Sequence, residues 1–300
     1  MGRKRPITIE QGEEIIRLYR GRVSRNSLAQ KFNVSRPFIT DFLRENNVPV
    51  RGAKEAGNQH FDKFPIRESA FDPPLGEEAT YWIGFLMADG CISGRHIIVQ
   101  LSECDAGHLE KFKSFMGAIK HKTSLVPAQD RIAGGREIHI KPAVRLAITS
   151  AKVVALLATF GVVPRKSLVA QVVGLEANRH FWRGYIDGNG WVGTKKKTGR
   201  NDISINLSLC GSKPIITQWN AFGRTLTDSQ CNVVHGKGKE WQCLFSGRHA
   251  VRVIHHLYHD CTIALTRKLI AAETVLETYA FLLNPNIGYF WKSPLRSVSP

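Results

Sequence analysis

The chain has 300 residues, 43% hydrophobic and 9% aromatic, so it can bury the core of two ordinary domains or of one duplicated domain plus a small module. Lys and Arg exceed Asp and Glu by 17, which points to a polyanionic partner, because basic side chains displace the counterions condensed on a nucleic-acid backbone. No apolar run reaches the roughly 18 residues of a membrane-spanning helix, and the positive charges are spread along the chain without an amphipathic anchor helix.

The N-terminus, Met1-Gly-Arg-Lys-Arg-Pro6, is basic and no apolar segment follows it, so no secretory signal is expected. Six cysteines (91, 104, 210, 231, 243 and 261) stand without a C-x-x-C pair. They read as reduced thiols of a cytoplasmic protein rather than as a disulfide or zinc framework.

The first segment, residues 1–50, has the pattern of a helix-turn-helix. Ile9–Arg20 suits a helix. Leu28, Ala29 and Phe32 then line one short helix, Asn33-Val34 makes the turn, and Ile39, Phe42 and Leu43 line the next. Ser35 can cap that last helix, with Pro37 in its first turn where a missing N–H costs nothing. Ser35, Arg36, Thr40, Asp41 and Arg44 would face outward, as a recognition helix does in the major groove. The segment resembles the DNA-binding module of resolvases and invertases. That resemblance implies an arm, Arg3, Lys4 and Arg5, reaching into the minor groove. The bland alternative is a helical hairpin with solvated charges.

Residues 51–76 mix Gly, Pro and charge and are expected to form a linker. From Glu77 the chain duplicates. Tyr81–Gly90 reads Y-W-I-G-F-L-M-A-D-G and Phe181–Gly190 reads F-W-R-G-Y-I-D-G-N-G. Small residues four apart, Gly84/Ala88 and Gly184/Gly188, fall on one helix face, so two such helices can approach backbone to backbone. The polar residues closing them, Asp89 and Asn189, then sit side by side. A strand pattern follows each motif, Ile97–Cys104 and Ile203–Cys210, and L-S-E-C in the first matches L-S-L-C in the second. The order helix-strand-strand-helix-strand-strand-helix is expected twice, in 77–175 and 176–285, with a tail at 286–300.

The paired motifs resemble those of a single-chain LAGLIDADG homing endonuclease, over roughly Glu77 to Leu283. The resemblance implies an α+β fold of two αββαββα halves forming a pseudo-twofold saddle across double-stranded DNA, active as a monomer. It implies that the eighth motif residue of each copy, Asp89 and Asn189, holds Mg²⁺ at the scissile phosphates. It also implies basic help from Lys166 and Lys268, before or at the start of the last helix of each half. Asn189 departs from the family pattern. An amide oxygen can ligate Mg²⁺ but brings no charge, so slow double-strand cleavage, nicking of one strand, and binding without cleavage all stay open. Asp187 lies two residues before Asn189 and so faces another way on the helix.

Strand alternation divides the reading surface from the core. Ile97, Val99, Leu101, Ile203, Ile205 and Leu207 are expected to pack on helices. Gln100, Ser102, Ser204, Asn206 and Ser208 are expected to face the groove, where such side chains can pair with base edges. Lys195, Lys196 and Lys197 fit phosphate contacts better than base readout. His255, His256 and His259 have an i, i+4 pair but no accompanying Glu, so a surface or phosphate role is favoured over a metal site. No membrane partner is expected. The rival readings are a DNA-binding regulator or RNA maturase that has lost its metal site, and a structural protein binding nucleic acid with little sequence preference.

Overall fold

The computed structural model describes residues 7–52, 64–196, 203–227, 232–235 and 240–279. The chain divides into two compact units, Met1–Pro65 and Ile66–Pro300.

The first unit contains α1 (Ile9–Arg20), α2 (Arg25–Lys31) and α3 (Arg36–Glu45). Each begins at a side-chain cap. Thr8 and Gln11 form a reciprocal capping box, and Ser24 and Ser35 accept from the N–H groups of Ser27 and Phe38. Asn33 turns the chain between α2 and α3 at φ +50°, a conformation Asn tolerates better than most residues. Ile15, Leu28, Ile39 and Leu43 are fully buried between the helices. Arg51 closes the unit: its N–H donates to Tyr19 Oη at 2.8 Å and its guanidinium lies 4.0 Å from the centre of the Tyr19 ring.

The second unit repeats one plan. Its first copy runs α4 (Glu77–Asp89), β1 (Gly90–Ser93), β2 (His96–Ser102), α5 (Ala106–Phe115), β3 (Ser124–Val126), β4 (Gln129–Ala133), β5 (Arg136–Ile140), β6 (Ala143–Thr149) and α6 (Ala151–Thr159). The second runs α7 (Arg179–Asn189), β7 (Gly190–Lys196), β8 (Ile203–Gly211), α8 (Lys213–Leu226), β9 (Asn232–His235), β10 (Trp241–Ser246), α9 (Gly247–Tyr258) and α10 (Thr266–Tyr279). Two antiparallel sheets result, ordered β1-β2-β6-β3 and β7-β8-β10-β9. The αββαββα frame is present twice, with β4–β5 added as a separate two-stranded ribbon in the first copy. That ribbon escapes the sequence pattern because its apolar residues do not alternate toward a core: Ile132 is 80% exposed.

Register fixes which face of each sheet is buried. Ile97 pairs with Ile148, Val99 with Leu146 and Leu101 with Val144, all buried under helices. In the second sheet Leu207 pairs with Phe245 and Leu209 with Cys243, again buried. Ile203 departs from expectation: it lies at the outer end of β8 and is 52% exposed.

Two other expectations are corrected here. The linker was expected to reach Gly76, but Phe71 is fully buried against Phe115, and the Arg67 N–H donates to Met116 O at 2.6 Å. The segment from Ile66 therefore belongs to the second unit's core. Cys243 is disulfide-bonded, whereas all six thiols were expected to be reduced; Cys91, Cys104, Cys210 and Cys261 are free. Among the described residues no helix is long and apolar enough to cross a membrane.

Candidate functional site

The centre of the second unit is the pair α4 and α7. From Ala79 to Met87 every residue of α4 is buried, and from Phe181 to Asp187 the same holds for α7, so each helix is enclosed on all sides. The contact is reciprocal. A β-carbon built on Gly84 would lie 2.0 Å from Phe181 O, and one on Gly184 would lie 2.0 Å from Tyr81 O. Because residue 84 matches 184 and 81 matches 181, this is the self-complementary contact of a twofold axis.

Lower on the same faces, a β-carbon on Gly188 would meet Ala88 Cβ at 2.5 Å and Asp89 Oδ2 at 3.3 Å. The Asp89 carboxyl thus leans across the axis into space that Gly188 leaves open, beside Asn189. Both residues reach the surface at the ends of their helices. The chain then turns away through Gly90 and Gly190, where a side chain would collide with the carbonyls of Leu86 and Ile186. Crowding by surrounding protein pushes the Asp89 carboxyl above the usual carboxylate range, against the opposing pull of Lys166, Arg267 and Lys268.

Lys166 and Lys268 occupy matching places. Lys166 Nζ donates to Gly90 O and Lys268 Nζ donates to Gly190 O, so each ammonium is anchored to the residue following a motif helix. Both side chains are nearly buried. Burial lowers the pKa of both, Lys268 to about 8 with a further push from Arg267. Arg165, just before Lys166, holds a left-handed backbone at φ +56°. Arg267, just before Lys268, donates through Nε to both Asp105 oxygens at 3.0 and 3.1 Å. The four residues proposed from sequence are therefore brought together at one end of the helix pair.

Asp187 has a different task. It is fully buried, accepts from the hydroxyls of Tyr81 and Tyr258 at 2.7 Å each, and accepts from the Leu265 N–H at 2.6 Å. Burial raises its pKa, and those hydrogen bonds oppose the shift. Beside it, the fully buried Arg183 donates to Leu257 O, Ile263 O and Glu77 Oε1. This network ties α4 and α7 to the segment after α9 and holds the Asp187 carboxylate in the interior.

A cleft of about 230 Å³ opens on the Asn189 side. Lys166, Tyr185, Asn189, Cys210, Gly211 and Glu240 are among the residues lining it. Tyr185 Oη rests where a Gly211 side chain would be, 2.6 Å from the missing β-carbon, and donates to Cys210 O at 3.4 Å. Sequence reasoning did not select Tyr185, Cys210 or Glu240, since nothing local to them marks a site.

On the open face of the first sheet, Gln100 and Ser102 are exposed, with Gln100 paired to the exposed Arg145. On the second, Lys195 is exposed and pairs with Ser204, and Ser204 Oγ donates to Asn206 Oδ1 at 3.0 Å. Ser208 is corrected: it is 8% exposed, shaded by its direct cross-strand neighbours Trp191 and Leu244. Arg145 and Gln242 share these open faces and were missed, because their strands could be placed but not registered. The Lys196 side chain and all of Lys197 lie outside the described residues.

In the first unit, Ser35, Arg36 and Arg44 are exposed on α3. Thr40 is half-buried and committed internally, donating to Arg36 O at 3.1 Å and accepting from Arg25 Nη1 at 3.2 Å. Arg3, Lys4 and Arg5 lie outside the described residues.

A cation at Asp89 would find two hard oxygen donors, a carboxylate and an amide, beside a hollow that a side chain on Gly188 would fill. Among the described residues no group of three or more His, Cys, Asp and Glu stands ready for a metal. That donor set fits Mg²⁺, which is commonly held by one or two carboxylates plus substrate phosphates and water.

No protein-family model and no curated protein matches the chain. Among solved structures it is similar to the LAGLIDADG meganuclease I-AabMI bound to uncleaved DNA, at 11% identity and TM-score 0.47 over 69% of this chain and 91% of that one. It is also similar to a point mutant of I-SmaMI, at 11% identity and TM-score 0.46 over 70% and 94%. A third is the I-SmaMI LAGLIDADG homing endonuclease bound to cleaved DNA, at 10% identity and TM-score 0.44 over 70% and 93%.

Proposed function

We propose that this chain is a site-specific DNA endonuclease of the LAGLIDADG homing type, acting as a monomer with Mg²⁺. The observation that carries the reading is the reciprocal helix pair, which brings Asp89 and Asn189 together between two lysines anchored on Gly90 and Gly190. The excess of 17 positive charges and the open faces carrying Gln100, Arg145, Lys195 and Asn206 suit a long duplex. The first unit, with Arg36 and Arg44 exposed on α3, extends the site read on that duplex.

In this reading Asp89 and the Asn189 amide would hold the ion. When bound, a divalent cation lowers the pKa of attacking water and offsets the charge that grows on the phosphate. Lys166 and Lys268 face the same phosphates and stabilise developing negative charge from fixed positions. Lys268, held near pKa 8, can also release or accept a proton close to neutrality. Asn189 itself supplies no charge, so the two half-sites are built from different ligands and the two strands are cut at unequal rates. That same residue favours a second reading, a DNA-binding protein that has kept the frame and lost cleavage.

The test begins by capturing a bound site from genomic fragments and placing it in a supercoiled plasmid. With Mg²⁺, open circle followed by slow linear product is expected. Supercoils left intact alongside a gel shift would replace the nuclease with the binder.

A further inference from the structure

The two halves place their carboxylates differently. Gly90 pairs with Val99, and Val99 with Leu146; at the matching positions Gly190 pairs with Leu209, and Leu209 with Cys243. Three residues back along these strands, Leu146 leads to Ala143 and Cys243 leads to Glu240. The half whose motif helix ends in a carboxylate, Asp89, therefore has Ala143 at the start of its strand. The half whose helix ends in an amide, Asn189, has Glu240 at that position, one residue before β10.

Glu240 lines the same cleft as Asn189, Tyr185 and Lys166 and is exposed to solvent, so a ligand entering the cleft can reach it. Asp105 is taken up by Arg267.

Resting on the nuclease reading above, we propose that Glu240 provides the negative oxygen ligand of the Asn189 half-site, holding a divalent cation there together with the Asn189 amide. The charge missing from the motif helix is restored from the residue that leads into β10. Both half-sites then have one carboxylate each, Asp89 and Glu240, and the second motif is displaced rather than lost. Ion affinity at such a site depends on the number of charged ligands.

The test uses the full chain bound to its captured duplex and Ca²⁺ as the probe ion, with calorimetric titration of wild type, Glu240→Gln, and Glu240→Gln combined with Asn189→Asp. Strand-resolved cleavage in Mg²⁺ runs in parallel, and a gel shift confirms that each variant still binds DNA. Glu240→Gln should weaken one Ca²⁺ site about tenfold or more and slow one strand alone. Adding Asn189→Asp should restore both, a rescue that a merely structural role for Glu240 would not show. If wild type takes up Ca²⁺ and cuts, and Glu240→Gln does both equally well, the assignment of Glu240 is overturned while the nuclease reading stands. A wild-type complex that takes up no Ca²⁺ and cuts neither strand overturns both.

Discussion

Gly84 and Gly184 are each in contact with the main chain of the opposite helix, so closely that a β-carbon on either would sit 2.0 Å from a carbonyl oxygen. No rotamer change can relieve a clash with backbone, and one helix would have to move away from the other. Gly84→Ala or Gly184→Ala should therefore cost about 3–5 kcal/mol, although Ala favours an isolated helix by about 1 kcal/mol over Gly. For a unit of this size that is a fall in Tm of about 10 °C, read by differential scanning calorimetry. Unchanged melting would mean that α4 and α7 are not packed as described.

Gly188→Ala perturbs the site more locally. Its new methyl would press on Ala88 Cβ at 2.5 Å and on the Asp89 carboxyl. We expect cleavage to fall further than stability does, with DNA binding retained in a gel shift. Equal losses of binding and cleavage would argue against an Asp89 carboxyl that leans over Gly188.

Much of this arrangement could be read from the chain. The small residues four apart gave the helix pair because glycine spacing is a local property, and the apolar alternation of Ile97, Val99 and Leu101 gave the buried sheet face for the same reason. Asp187 could be set aside from its helical phase alone, and its three buried hydrogen bonds give the physical account. Glu240 was hidden because its relation to Asn189 passes through two strand pairings, and register is not written in either strand. Phe71 was masked by the Gly, Pro and charge around it. Ser208 had the right parity for the open face, but the bulk of Trp191 and Leu244 beside it cannot be inferred from alternation.

The buried ammonium of Lys268 links stability to alkaline pH. Burial first, then the Arg267 charge, lowers its pKa from 10.5 to about 8. Between those values the unfolded chain still binds a proton that the folded chain has released, so stability rises with pH across that window. The full gain is about 3 kcal/mol at 1.36 kcal/mol per pKa unit. Denaturant unfolding from pH 7 to 10.5 should show wild type gaining on Lys268→Met. Parallel curves would place the Lys268 ammonium in water.

His108 has its effect on the acid side. It is 3% exposed, its Nε2 lies 2.9 Å from Tyr81 Oη, and burial, with Lys111 and Arg267 adding to it, lowers its pKa to about 3. The unfolded chain protonates this residue near 6.5, so stability is lost as pH falls from 6.5 toward 3. His108→Gln should flatten that part of the wild-type curve in thermal melts between pH 7 and 4.

Asp187→Asn tests the tie between the helices and the segment after α9. The amide cannot accept from Tyr81, Tyr258 and Leu265 together, and one buried donor is left unmatched. A loss of about 2–4 kcal/mol is expected in denaturant unfolding. A variant as stable as wild type would show that this network does not bind the two halves together.

Asp89 bears the main weight of the functional reading, and its amide variant provides the sharpest measurement. An end-labelled duplex containing the captured site should be cut in Mg²⁺ by wild type, while Asp89→Asn should be slower by at least about a hundredfold and still shift the duplex in a gel. Cleavage by Asp89→Asn at the wild-type rate would contradict a metal-dependent site built on the paired helix ends.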